Sequence, residues 1–239
     1  MSVFVIWFIW VAGSALEGTI LARGIQTRMF AKYPFFYFHT LALCIVQIPS
    51  FAAYEWYPSA YAKVYWYIQF LTMVTGCGVI AEIIRHVLAH PGMATIRRTA
   101  WALICAMIFG FLAAYFLTMH KPRSGINGTI ERDFRTSQAL LLFGILLVIL
   151  HYGLPVGRNI RGMFVGYGLY ITCSLMTLAL MLYGGISSHS AWNLAQPLSC
   201  IAELGIWAIT LWTYNPNIIL EPLPRAGVQY APLRFLPKR

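Results

Sequence analysis

The segment AEIIRHVLAHPGM, residues 81–93, contains side chains that bind metal ions in many proteins. Glu82, His86 and His90 follow one another at four-residue intervals, which places them on one narrow face of an α-helix. A carboxylate and two imidazoles at this spacing are suitable ligands for a divalent ion. A Pro-Gly pair ends the helix directly afterwards, where imidazolium groups also suit a helix C-terminus. The segment therefore indicates either a metal site or the polar end of a helix.

The depth of this helix in a membrane favours the second interpretation. Aromatic residues fill positions 65–67 near its start, and such residues gather at a membrane surface. A hydrocarbon core about 30 Å thick, crossed at about 1.5 Å per residue, ends about 20 residues later, near Arg85. His86 and His90 then lie among headgroups or water, so we interpret them as structural residues.

Four ionisable residues are predicted within the inner part of the membrane core, where a charge needs a partner. They are Glu17, His39, Glu82 and His151. Two carboxylates and two imidazoles could converge on one divalent metal, or the imidazoles could be the axial ligands of a haem. The alternative is simple pairing, of Glu17 with Arg23 or of Glu82 with His39, which neutralises buried charge without a cofactor.

Glu203 lies near the middle of the last apolar segment, with Pro197 on its outer side. Proline removes a backbone donor and thereby frees a carbonyl that a cavity can use. Four glutamines are predicted in the same outer half: Gln47, Gln69, Gln138 and Gln196. These residues indicate an outward-facing ligand pocket with Glu203 at its floor. Amides in membrane helices also join helices to one another, which is the alternative role.

The composition places these residues in a membrane protein. The 239 residues are 59% hydrophobic and 10% charged, whereas soluble domains are about 25% charged. Segments long enough to cross a bilayer are predicted at 3–22, 34–54, 62–88, 99–119, 136–154, 161–184 and 191–213. We therefore predict an all-α fold, a seven-transmembrane-helix bundle over residues 1–215 followed by a Pro-rich basic tail over residues 216–239.

The distribution of Lys and Arg predicts the orientation of the bundle. Twelve of the 17 fall on one side of the predicted spans, and five fall on the other, including Arg132 and Arg135 in an outer connection at about 120–135. The positive-inside rule then puts the N-terminus outside and the C-terminus in the cytoplasm. The net charge of +10 needs no nucleic-acid partner, because basic residues at helix ends face anionic lipid headgroups.

Within the tail, the segment from Glu221 to residue 239 has four prolines and no helical period, which predicts an extended segment. An irregular tail stays ordered only when something holds it, so we expect it to dock on the protein itself or on a partner. The candidate docking residues are Pro222, Pro224, Tyr230, Pro232 and Arg234.

No nucleophile-base pair, phosphate-binding loop or series of buried acids stands out in the sequence. This favours a non-catalytic accessory or scaffold subunit of a membrane complex, which contacts other membrane proteins or a second copy of itself. The alternatives are a ligand-sensing bundle that uses the pocket at Glu203, and a haem or metal protein.

Comparison with known classes of heptahelical proteins excludes some of them and shows a resemblance to one. The last span, AWNLAQPLSCIAELGIWAITLW, contains no Lys, which excludes a retinal protein of the rhodopsin type. Asp133 is the only Asp in the chain, so the Ser, Asp and His pattern of seven-helix ceramidase-type hydrolases is missing. The runs KYPFFYFHTLAL, YAKVYWYIQF and AEIIRHVLAHPG resemble uncharacterised heptahelical proteins common in Acidobacteriota. That resemblance covers all seven spans and implies a multi-pass protein of the bacterial inner membrane, but no activity.

Overall fold

The architecture consists of long helices, because backbone polar groups inside a bilayer must pair within their own segment. The computed structural model describes residues 3–89, 91–119, 126–183 and 188–213. The α-helices are α1 (Val3–Gln26), α2 (Met29–Lys32), α3 (Pro34–Trp56), α4 (Pro58–Val87), α5 (Ala94–Met119), α6 (Ile126–Tyr152), α7 (Arg158–Tyr183) and α8 (Ser188–Trp212). These ranges contain no strand, so the predicted all-α class is confirmed.

Seven of these helices, all except α2, are long and apolar enough to cross a membrane. The predicted multi-pass bundle is therefore confirmed as far as the number of spans goes. The largest difference lies in α6, which begins at Ile126 instead of at residue 136. Residues 126–135 are thus the first turns of a helix and not an outer loop, and this changes the surroundings of Arg135.

Two prolines define the hairpin between α3 and α4. Pro34 and Pro58 occupy the first positions of these helices, where the missing N–H has no helical partner to lose. Only Tyr57 separates the end of α3 from the start of α4. Rings on both sides of this connection meet, with Tyr54 and Tyr61 centred 5.8 Å apart. The connection therefore holds the two helices in a tight hairpin.

The helix α4 is the centre of the bundle. It packs against α3, α5, α6 and α7, whereas α1 packs against α3 and α8, and α7 packs extensively against α8. In the most apolar 18-residue stretch of each helix, 61% of the α4 residues are buried, compared with 11% of the α5 residues. The helix α5 is thus a peripheral helix, and α4 forms one wall of the bundle interior.

Two glycines allow α7 and α8 to approach closely. A Cβ atom built on Gly162 would lie 2.3 Å from Thr210 Oγ1, and one on Gly166 would lie 2.5 Å from Trp207 Nε1. Both distances are too short for a methyl group, so the two helices pack through a backbone surface. Small residues four apart are typical of such contacts in membranes. This contact fixes the position of α8, which carries Glu203.

Candidate functional site

A cluster of polar side chains lies in the interior of the bundle, on the helices α3, α4, α6, α7 and α8. Its buried members are His39, Gln69, Thr75, Glu131, Arg135, Gln138 and Glu203. Burial of such groups is unfavourable unless hydrogen bonds satisfy them. The hydrogen bonds therefore show which members are satisfied and which are not.

An ion pair on α6 forms one side of this cluster. Arg135 Nε lies 2.9 Å from Glu131 Oε1, and both side chains are only 2% exposed. Gln69 on α4 donates from Nε2 to the same oxygen, at 2.6 Å. The prediction that Arg135 is an outer-loop residue was wrong. Glu131, Arg135 and Gln138 are spaced as neighbours on one helical face, and this signal becomes visible once the helix is taken to start before residue 131.

The same arginine reaches α7. Arg135 Nη2 donates to the hydroxyl of Tyr170 at 3.2 Å, and the guanidinium carbon lies 5.0 Å from the centre of the tyrosine ring. Gln196 on α8 donates to that hydroxyl at 3.1 Å. A continuous chain of hydrogen bonds thus runs from Gln69 through Glu131, Arg135 and Tyr170 to Gln196 and joins four helices.

A small cavity, here called the central cavity, lies beside this chain of hydrogen bonds. Its volume is about 20 Å³, and a cavity needs roughly 10–15 Å³ to hold one water molecule. Five helices supply its walls, which are His39, Leu43, Thr72, Met73, Arg135, Tyr167, Tyr170, Cys200 and Glu203. The central cavity is therefore a small space, with both polar and apolar walls, for a molecule of about the size of water.

Glu203 is the unsatisfied member of the walls. Its side chain is 1% exposed, and Oε1 has no hydrogen-bond partner within the described part of the chain. No Lys, Arg or His nitrogen of that part forms a salt bridge with it. A buried carboxyl oxygen without a donor is unfavourable, so this oxygen has an unused capacity to accept a hydrogen bond.

His39 lines the same cavity, and its hydrogen bond indicates its tautomer. Nδ1 lies 2.9 Å from Thr75 Oγ1, and the Thr75 hydroxyl itself donates to the carbonyl of Leu71 at 2.9 Å. With the hydroxyl proton directed to Leu71, the imidazole donates from Nδ1. In the neutral ring Nε2 is then a hydrogen-bond acceptor.

The structure does not bring the four predicted metal or haem ligands together. Glu17 accepts a hydrogen bond from Gln47 at 2.7 Å, where α1 contacts α3. His39 lies at the central cavity, Glu82 lies at the start of α3, and His151 is exposed near the end of α6. Within the described ranges no three His, Cys, Asp or Glu side chains form a group that could hold a metal ion.

Glu82 joins α4 to the N-terminus of α3. Its Oε2 accepts a hydrogen bond from the backbone N–H of Phe35 at 3.0 Å, and the residue before α3 supplies no side-chain cap. The other oxygen lies 3.3 Å from His86 Nδ1 and 3.6 Å from Arg85 Nη1. A carboxylate at a helix N-terminus satisfies a free N–H group and interacts favourably with the helix dipole. This geometry gives Glu82 a structural role; His90 lies outside the described residues.

The predicted pocket residues occupy two separate places. Gln69 and Gln196 belong to the chain of hydrogen bonds beside Glu203, and Gln138 donates to the carbonyl of Met73 at 3.1 Å. Gln47 bonds to Ser14 and Glu17 instead and is not among the walls of the central cavity. Arg135, Tyr167 and Tyr170 were not among the residues predicted from the sequence to form this site. The tail residues Pro222, Pro224, Tyr230, Pro232 and Arg234 lie outside the described residues.

The chain matches no known protein family, no curated protein and no solved structure.

Proposed function

We propose that this multi-pass membrane protein is a ligand-sensing bundle that binds a small cation, of the size of ammonium, in the central cavity. The observation that supports the proposal is the buried Glu203 carboxyl, whose Oε1 has no hydrogen-bond partner in the described part of the chain. Intramembrane acids are usually functional, because burial is too unfavourable to persist without a compensating interaction.

The balance of charges favours a cation. The positive charge nearest to the central cavity is Arg135, which is already paired with Glu131 at 2.9 Å and bonded to Tyr170. An ionised Glu203 therefore adds a second negative charge without a second positive one. A cation at this position neutralises it, whereas an anion would add to the imbalance.

The size and lining of the cavity favour ammonium over a metal ion. Ammonium is about as large as water and donates hydrogen bonds, which Glu203 Oε1 and an imidazole nitrogen of His39 can accept. The rings of Tyr167 and Tyr170 add aromatic surface, which attracts cations. Hard metal ions prefer about six oxygen ligands, and the walls do not offer that many carboxyl and carbonyl side-chain groups.

The proposal is tested with full-length protein purified in mild detergent. Its thermal unfolding midpoint is measured in ammonium chloride and in sodium chloride at equal ionic strength. We expect ammonium to raise the midpoint, since a ligand present at 100 times its Kd stabilises the folded state by about 2.7 kcal/mol. Glu203→Gln should remove this shift, and Glu55→Gln, which changes an exposed carboxyl, should retain it. Equal shifts in both salts, or an unchanged shift in Glu203→Gln, would contradict the proposal.

A second variant covers the case in which Glu203→Gln does not fold. Cys200→Leu adds volume at a wall of the central cavity without altering any ionisable group that bonds there. We expect this variant to lose the ammonium shift as well. If it responds to ammonium like the unmodified protein, the ligand binds somewhere else.

The accessory or scaffold role is a second candidate function, and the exposure of α5 favours it. Only 11% of the residues in its most apolar 18-residue stretch are buried, and Leu103, Phe109 and Phe116 are exposed. Such a face can pack against a helix of another membrane protein as well as against lipid. Deletion of residues 221–239 should release proteins that co-purify with the chain, if the tail docks them. Purification of the intact chain as a lone monomer would count against this role.

A further inference from the structure

A larger cavity, here called the lateral groove, lies between the first turns of α7 and the last turns of α8. Its volume is about 450 Å³. Its walls are Val156, Arg158, Arg161, Gly162, Val165, Ile206 and Thr210. None of them lines the central cavity, so the two cavities are separate features.

The charged part of the lateral groove is positive. Arg158 and Arg161 are exposed, and neither side chain forms a salt bridge or hydrogen bond with another residue in the ranges that the structure describes. The first N–H groups of α7 add the positive end of the helix dipole at the same place. The walls include no Asp or Glu. This part of the lateral groove therefore suits a phosphate or another anionic group.

The remaining walls are apolar and lie on membrane-spanning helices. Val165 and Ile206 belong to the spans Arg158–Leu180 and Leu194–Trp212, and Val165 is 50% exposed on the outside of the bundle. The apolar wall beside the two arginines makes no favourable contact with a free phosphate ion. It does fit a molecule in which a phosphate is joined to hydrocarbon.

We propose that the lateral groove binds one anionic phospholipid. Arg158 and Arg161 contact the headgroup phosphate, and the first carbons of an acyl chain lie against Val165 and Ile206. The predicted orientation puts the start of α7 at the cytoplasmic leaflet, where anionic lipids are enriched. The inference is independent of the ligand proposed for the central cavity.

The test is native mass spectrometry of the full chain, released from vesicles of equal parts phosphatidylglycerol and phosphatidylcholine. The double variant Arg158→Gln/Arg161→Gln should reduce the phosphatidylglycerol-bound fraction about tenfold or more, since each basic residue contributes about 1 kcal/mol near an anionic surface. The matched control Arg28→Gln/Arg98→Gln removes two other exposed arginines and should retain the lipid. An equal loss in the control would show general surface attraction and overturn the proposal.

Two further measurements test the hydrocarbon contact. Val165→Trp leaves both arginines in place and should also lower the lipid-bound fraction several-fold, because the larger side chain occupies the space beside the apolar wall of the lateral groove. Unchanged binding in this variant, or displacement of the lipid by inorganic phosphate, would show that only the phosphate is recognised. If the Gln variants fail to fold, Arg158→Lys/Arg161→Lys should keep the charge and most of the lipid. Complete loss in a folded Lys variant would also contradict a charge-based site.

Discussion

At the scale of single residues, Arg135 holds the interior hydrogen bonds together. We predict that Arg135→Met lowers the free energy of unfolding by about 3–5 kcal/mol, because Glu131 then remains buried without its partner. Glu131→Leu combined with Arg135→Met should be no more destabilising than Arg135→Met alone, since both charges are then gone. Thermal unfolding of the purified variants measures both effects.

A neighbouring pair provides the control for this prediction. Arg132 lies 2.8 Å from Asp133, but these side chains are 34% and 63% exposed. Exposed pairs contribute about 0–1 kcal/mol, so Arg132→Met should change stability little. If Arg132→Met and Arg135→Met were equally destabilising, burial would not explain the role of Arg135.

Only some of the residues of the polar interior could be predicted from the sequence. Glu203 was predictable as a functional candidate, because a lone carboxyl in an apolar span needs compensation wherever the neighbouring helices lie. Its neighbours were not predictable in the same way. Gln47 faces Glu17, whereas Gln196 contacts Tyr170, and hydropathy does not reveal which helix faces meet in lipid.

At the scale of helices, the contact between α7 and α8 gives a matched pair of variants. Gly166→Ala should destabilise the protein, because its Cβ atom would lie 2.5 Å from Trp207 Nε1. Gly168→Ala, two residues away with nothing within 4 Å of its Cβ, should be neutral or slightly stabilising. Alanine is favoured over glycine in a helix by about 1 kcal/mol. Thermal unfolding distinguishes the two, and equal effects would show that close packing is not the reason for Gly166.

The contact between α4 and the start of α3 yields another helix-scale prediction. Glu82→Ala should lower stability by about 0.5–2 kcal/mol, the usual effect of losing a helix cap. Glu82→Gln retains an acceptor for the Phe35 N–H and should have a smaller effect. The unfolding midpoints of the two variants test this prediction. A larger loss of stability in Glu82→Gln than in Glu82→Ala would indicate that the charge of Glu82, and not its cap of the Phe35 N–H, stabilises the start of α3.

Helix boundaries were predicted well where apolar residues continue to the helix end and poorly where they do not. The predicted span 34–54 begins with α3 at Pro34, whereas the predicted span 62–88 begins four residues after Pro58, the first residue of α4. The polar first turns of α6 escaped hydropathy, because Glu131 and Arg135 neutralise each other only in three dimensions.

At the scale of the whole molecule, the seven helices that are long and apolar enough to cross a membrane are an odd number, which predicts that the two ends of the bundle lie on opposite sides. The excess of Lys and Arg predicts the N-terminal end outside a bacterial inner membrane. Phosphatase fusions after Tyr57 should therefore be active in the periplasm, and fusions after Gly157 should be inactive. The reverse pattern would invert the orientation and move the lateral groove to the outer leaflet.

The position of α8 next to α1 has a consequence for the assembly of the bundle. Arg23 donates to the carbonyl of Trp212 at 3.3 Å, so α1 and α8 are neighbours although these two residues are 189 positions apart in the sequence. Until α8 is in place, the central cavity lacks the wall that carries Glu203. The side of Arg135 that will face the cavity is then in contact with lipid or water. The polar interior can therefore be complete only after α8 has joined the other helices, because α8 supplies Glu203 and Gln196.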